Sequence, residues 1–149
     1  GHTIGVHSAS HDYEKIYASV DAFLEDFNEA YEIVLEATGK APDIYRFPGG
    51  SVNDYNEKAR DDIIAEMDRR GFTYFDWNVD SNDWQGYGWT TLYTNVLKDA
   101  EEFSSPVILF HNTGDRDNTV LVIEDIIKAL KNKGYKFGSL SQKIKPVQF

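Results

Sequence analysis

The chain has 149 residues, 41% of them hydrophobic and 27% charged, and it contains no cysteine. That length suits a single domain with a substantial core, while a formal net charge of −10 argues against the clustered basic surface that nucleic-acid phosphates or an anionic membrane would require. Without cysteine there are no disulfides, no thiolate catalysis and no thiolate-held zinc, so any metal must rest on histidine and carboxylate. No apolar run approaches the roughly 20 residues of a membrane span.

In chain order, residues 3–6 form a short β-prone run that ends at His7. From about 19 to 38, Val20, Phe23, Leu24, Phe27, Tyr31, Val34 and Leu35 recur at helical spacing, and Gly39 with Pro42 closes that helix. Ile44 to Phe47 reads as a strand ended by Pro48, Gly49 and Gly50. A helix over about 55–70 carries Ala59, Ile63, Ile64 and Met67 on one face, with Gly71 as terminator. Phe72 to Val79 is aromatic and β-branched, hence a strand, and residues 80–89 form a polar loop. Leu92, Val96, Leu97 and Ala100 mark a helix over about 90–103. The uninterrupted apolar run 107–110 is typical of a fully buried parallel strand. A last helix over about 119–133 uses Val120, Ile123, Ile126, Ile127 and Leu130, closes at Gly134, and leads to a final strand near 135–138.

This β/α alternation implies an α/β fold with a parallel sheet, doubly wound or curled into a barrel, over one domain spanning 1–149. His7, Pro48, Asp80 and His111 each follow the C-terminal end of a predicted strand, the face where α/β barrels assemble their active sites.

Four segments carry candidate chemistry. His7 and His11 stand four apart, so a turn of helix would set both imidazoles on one side, able to share a divalent metal; polar residues satisfied within a loop are the competing reading. In RFPGG at 46–50 the glycine turn offers backbone N–H groups for an oxyanion, and Arg46 can orient a carboxylate; a strand-ending turn with a surface ion pair explains the same residues. WNVDSNDW at 77–84 places carboxylates between indoles, either as a capped turn over core aromatics or as a carboxylate tuning a histidine beside a small apolar pocket. His111 follows the buried run at 107–110, and an imidazole that titrates near neutrality suits general-acid work.

In order and spacing these segments resemble the catalytic motifs of the polysaccharide deacetylases of the NodB-homology type, carbohydrate esterase family 4. GHTIGVHSASH resembles that family's metal-histidine motif, RFPGG its arginine-proline motif, DSNDW its aspartate-tryptophan motif and VILFH its leucine-histidine motif. The resemblance runs from Gly1 to about Leu140. It implies metal-dependent removal of N-acetyl groups from an N-acetylglucosamine-containing polysaccharide such as peptidoglycan or chitin. His7 and His11 would hold the metal, zinc first, with cobalt or nickel as alternatives. Gly49 N–H would stabilise the oxyanion, and His111, held charged by Asp80, would protonate the departing amine. Arg46 would position the catalytic base. Trp84 with Leu109 would form the acetyl pocket, and Pro48 belongs to the same substrate-binding set. Trp89 and Tyr87 suit either sugar stacking or a core or lid role. An extracellular or cell-envelope setting is also implied.

The family's first motif, a strand ending in paired aspartates, has no counterpart in this sequence. Those aspartates supply the catalytic base and the third protein ligand to the metal. The expectation is therefore a partial, distorted (β/α) barrel lacking its first strand or strands, impaired in catalysis as a chain alone. Its unpaired edge would be completed by an upstream segment or a swapped protomer. Asp12, beside His11, is a stray carboxylate within reach of a metal held there. Where the family often reads Pro and Tyr, this chain has Phe47 and Gly49, which leaves Gly49 N–H in place with a more open site wall. Two other functions are consistent with the same residues: an ester-cleaving relative acting on acetylated xylan, and a non-catalytic carbohydrate-binding form of the fold. A Rossmann-type nucleotide binder is excluded by the absence of a GxGxxG after any strand.

Overall fold

The computed structural model describes residues 1–114 and 117–149. Its elements are helix α1 (Tyr13–Ile16), helix α2 (Val20–Thr38), strand β1 (Ile44–Tyr45), helix α3 (Arg60–Arg69), strand β2 (Thr73–Tyr74), strand β3 (Val79–Asp80), helix α4 (Trp89–Ala100), strand β4 (Ile108–Leu109) and helix α5 (Asp117–Asn132). The chain folds as two compact units, one of residues 1–76 with 139–149 and one of residues 77–138.

In the first unit β1 pairs parallel to β2, and Val6 bridges parallel to Tyr45 on the other side of β1. Val6 N–H donates to the Ile44 carbonyl at 3.0 Å, and Arg46 N–H donates to the Val6 carbonyl at 3.0 Å. The expected strand over 3–6 thus forms only as this bridge. The core is largely aromatic: Phe23 and Phe27 of α2 pack with Tyr45, Phe47 and Tyr74, joined by Ile63 and Met67 of α3. Ring centroids lie 5.4 Å apart for Phe23 and Phe47 and 5.3 Å for Phe47 and Tyr74, within the range where tilted and edge-to-face pairs are favourable. Helix α2 starts at Ser19, whose hydroxyl accepts from Ala22 N–H, and stops at Gly39 in a left-handed conformation.

Helix α3 begins at Arg60, later than the apolar pattern suggests. Asn53 and Asn56 explain the delay: their side-chain oxygens accept from backbone N–H groups of Tyr55, Asn56 and Asn53, and the Asn56 amide donates to the Gly50 and Ser51 carbonyls. Such side chains offer the backbone an alternative to helix.

In the second unit β3 pairs parallel to β4, with Val79 opposite Ile108 and Asp80 opposite Leu109. Its core is mainly aliphatic, drawing Leu92, Val96 and Ala100 from α4 and Val122, Ile126 and Leu130 from α5. The expected strand at 135–138 is not formed among the described residues. Tyr135 is held otherwise: its N–H closes the end of α5 on the Leu130 carbonyl, and its hydroxyl donates to the Ala100 and Phe103 carbonyls. No described helix is long and apolar enough to cross a membrane.

Gly5 is where the first unit is tightest. A Cβ there would lie 2.9 Å from the Ile44 carbonyl oxygen, so Val6 can approach β1 only behind a residue with no side chain. Gly5→Ala should therefore destabilise the fold by about 1–3 kcal/mol, read as a lower urea midpoint; an unchanged midpoint would show that this bridge shifts at no cost.

Candidate active site

The first unit carries His7, His11, Arg46, Pro48 and Gly49. Because Val6 bridges to β1, the next residue arrives beside Arg46, and His7 Nδ1 lies 2.8 Å from the Arg46 carbonyl oxygen. A carbonyl only accepts, so Nδ1 carries the proton and the neutral ring has its lone pair on Nε2, the arrangement usual for a metal-binding imidazole. The rings of His7 and His11 lie 5.1 Å apart, inclined by 60°. No helical turn does this. His11 sits at φ 55°, a left-handed conformation that costs a residue with a side chain roughly 1–2 kcal/mol.

Asp26, which the sequence reading missed, compensates for that cost. Its carboxylate accepts from Ser8 Oγ at 2.5 Å, Ala9 N–H at 3.1 Å and Ser10 N–H at 2.8 Å, and Ser8 Oγ in turn accepts from His11 N–H at 2.8 Å. Burial pushes the Asp26 carboxyl up, but the donors from Ser10, Ser8 and Ala9 outweigh it and hold the carboxyl below its ordinary range. The sequence signal was an acidic residue on the apolar stripe of α2, between Phe23 and Ala30. Asp12 is not turned to the histidines; it caps α1 by accepting from Lys15 N–H.

Gly49 is exposed at φ 75°, and Tyr13 occupies the place where its side chain would stand, with the phenol oxygen 3.1 Å from an added Cβ. The more open wall expected at Gly49 is thus lined by Tyr13, whose ring also lies 5.2 Å from that of His11. Pro48 is buried and its carbonyl accepts from Tyr17 Oη at 2.7 Å, so it shapes the turn and presents no surface of its own. The turn is anchored by buried Asp76, which accepts from Ser51 N–H and Oγ at 2.9 and 2.6 Å and from Phe149 N–H at 3.0 Å. Burial lowers the Arg46 guanidinium from its ordinary value, and the charge of Asp76 opposes that shift. Arg46 remains a cation throughout the physiological range.

The second unit carries Asp80, Trp84, Leu109 and His111. Here the pairing differs from expectation: the carboxylate on His111 is Asp83, not Asp80. Asp83 Oδ1 lies 2.7 Å from His111 Nδ1, while Oδ2 accepts from His111 N–H and Thr119 Oγ1, each at 2.8 Å. Asp80 instead accepts from Asn82 N–H at 2.8 Å and starts the turn. The register explains the exchange. Asp80 faces Leu109, so His111, two residues on, is reached from beyond position 82, where a short 3₁₀ turn (Asp83–Gln85) points the second aspartate inward. Burial raises the Asp83 carboxyl, but the His111 backbone and ring N–H and the Thr119 hydroxyl outweigh burial and hold it below its ordinary range. It is therefore an acceptor, His111 Nδ1 bears the proton, and Nε2 is left for proton exchange. Leu109 is buried and Trp84 is 54% exposed.

Two histidines whose rings are set 5.1 Å apart, one with its tautomer fixed for ligation, fit a divalent ion as two of its ligands. Among the described residues no group of three His, Asp or Glu side chains surrounds that position.

Paired strand-end histidines, an open glycine turn and a carboxylate-held histidine on an α/β chain are the features to set beside known proteins. This chain belongs to the polysaccharide deacetylase family, in carbohydrate esterase family 4 with its NodB-type fold. The polysaccharide deacetylase family model matches residues 1–71. The catalytic domain of a peptidoglycan N-acetylglucosamine deacetylase from Eubacterium rectale is similar over the whole chain and 70% of its own length, at 31% identity and a TM-score of 0.93. A polysaccharide deacetylase from Bacillus cereus is likewise 31% identical, with a TM-score of 0.82, over the whole chain and 72% of its own length. By sequence, a Bacillus cereus peptidoglycan-N-acetylglucosamine deacetylase is 31% identical over 92% of this chain and 50% of its own length. The chain spans about half the length of the first relatives it matches by sequence.

Asp83 contributes stability that is complete above the ordinary carboxylate value of about 4 and is lost as pH falls through its lower folded-state value. Asp83→Asn should cost about 2–3 kcal/mol at pH 7, and the gap in melting temperature between the two proteins should close on acidification below about pH 4. A gap independent of pH would show that the carboxylate charge is not what stabilises this corner.

Proposed function

We propose that this chain takes part in metal-dependent hydrolysis of N-acetyl groups on an N-acetylglucosamine-containing polysaccharide, of the peptidoglycan or chitin kind, in an extracellular or cell-envelope setting. The observation that carries the reading is the His111–Asp83 pair: a histidine at a strand end, half-exposed, with Nδ1 committed to a fully buried carboxylate. That is the form of a general acid oriented to deliver a proton from Nε2 to a departing sugar amine.

The remaining roles are those that the family resemblance implies for these residues. His7 and His11 hold a divalent ion, zinc before cobalt or nickel. When bound, that ion supplies Lewis-acid polarisation of the acetyl carbonyl. Gly49 N–H, which meets no acceptor among the described residues, is available to an oxyanion. One such donor is typically worth about 2.7–4 kcal/mol in rate. Arg46, a partly buried cation whose backbone carbonyl fixes His7, orients the carboxylate that acts as base. Trp84 with Leu109 receives the acetyl group. Among the described residues no carboxylate groups with the histidine pair; the family's paired aspartates would supply the base and the third ligand, so slow catalysis is the expected behaviour of this chain.

The test is release of acetate, with matching appearance of primary amines, from N-acetylglucosamine oligomers and peptidoglycan. The expected result is slow release that stops with a chelator, returns with zinc or cobalt, and is lost in His111→Ala. Glycan binding with no release, unaltered by His7→Ala or His111→Ala, would instead establish a non-catalytic carbohydrate-binding domain.

A further inference from the structure

Asp26 is the one buried carboxylate of α2, placed among Phe23, Phe27 and Ala30 on the helix face turned to the core. A buried acid there needs a full set of donors, and all of those observed come from one stretch: Ser8 Oγ, Ala9 N–H and Ser10 N–H. That stretch joins His7 to His11. The two ends of the loop are fixed differently. His7 is held by the main-chain carbonyl of Arg46, whereas His11 is held by a relay in which its N–H donates to Ser8 Oγ. The Ser8 proton is committed to Asp26, so its oxygen is turned to accept from His11. At φ 55°, a conformation that persists where the surroundings over-determine it, His11 has this relay as the acceptor for its N–H.

We propose that Asp26 is a positioning residue for metal binding, acting through Ser8 and the 8–10 backbone to set the His11 ring against that of His7. This rests on the reading of His7 and His11 as metal ligands, and it adds to that reading a residue with no contact of its own to the ion. Both carboxylate oxygens are already taken by loop donors, which is what separates it from a ligand. Asparagine at 26 keeps the shape of the side chain but replaces one acceptor with an NH₂ group facing N–H or O–H donors. The loop then loses its closure at Ser8 or at Ser10, and His11 its fixed backbone.

The experiment is a Co²⁺ titration of the whole chain, followed by the visible bands of the bound ion, for the parent, Asp26→Asn, Ser8→Ala and His11→Ala. Alongside it, amide hydrogen exchange at residues 9–11 is measured without metal. Asp26→Asn is expected to weaken cobalt binding 10–100-fold, as loss of an outer partner typically does, and to change the bands, with the far-ultraviolet dichroism retained and exchange at 9–11 accelerated. Ser8→Ala, which leaves Asp26 in the core, is expected to shift affinity and bands in the same direction, and it decides the matter if Asp26→Asn fails to fold. Parent-like affinity and bands in Asp26→Asn, or in Ser8→Ala where the former does not fold, would overturn the proposal. Parent binding no tighter than that of His11→Ala would overturn the metal reading, and with it this role in metal binding; parent-like exchange at 9–11 in Asp26→Asn would show separately that Asp26 does not hold the loop.

Discussion

Parallel strand pairing governs where this chain keeps its chemistry. Parallel neighbours end on the same side, so residues that follow them converge without any contact between the side chains themselves. In the first unit Val6, β1 and β2 deliver His7, Arg46 and Asp76 to one end. In the second, β3 and β4 deliver the 80–84 turn and His111. The strands are only two residues long, yet their register decides which side chain meets which. The Val6 bridge puts His7 on a carbonyl, and the Asp80–Leu109 register hands His111 to Asp83.

Much of this was legible in the sequence because strand ends announce themselves. A β-branched run stopped by His7, a Pro-Gly-Gly stop after Phe47 and an apolar run stopped by His111 each break a hydrophobic period with a polar or glycine residue. The helices were legible for the same reason, and α2, α4 and α5 fall within a few residues of their apolar patterns. What periodicity could not supply was anything depending on register or on side-chain competition. Asp80 and Asp83 are equivalent in composition, and only the pairing of β3 with β4 separates them. The late start of α3 depends on asparagine side chains that capture backbone N–H groups. Tyr135 looks like a strand residue, but its hydroxyl is bound to the end of α4. The wall beside Gly49 is a contact between residues 36 apart, invisible to any local pattern.

The two units stabilise their cores by different means. The first relies on rings whose packing leaves room for polar groups between them, and it buries Asp26, Asn56 and Asp76. Each of these is satisfied by loop backbone, so burial of polar groups serves to fasten loops to the core. The second unit, built from aliphatic helix faces, buries Asp83 and Thr119 as a joined pair under His111. In both, an acid deep in the structure has its donors on the segment that carries the chemistry. Removing such an acid therefore acts on the site as well as on the fold.

The carbonyl that fixes His7 has an evolutionary consequence. A main-chain oxygen is the same whatever residue stands at position 46, so the tautomer of His7 is insulated from substitution of its own partner. His11 has no such insulation, because its orientation passes through two replaceable side chains, Ser8 and Asp26. Within one pair of histidines, then, one arm is fixed through main chain and the other through side chains that a substitution can remove. A change of residue at 8 or 26 therefore reaches His11, whereas a change at 46 leaves the contact on His7 in place.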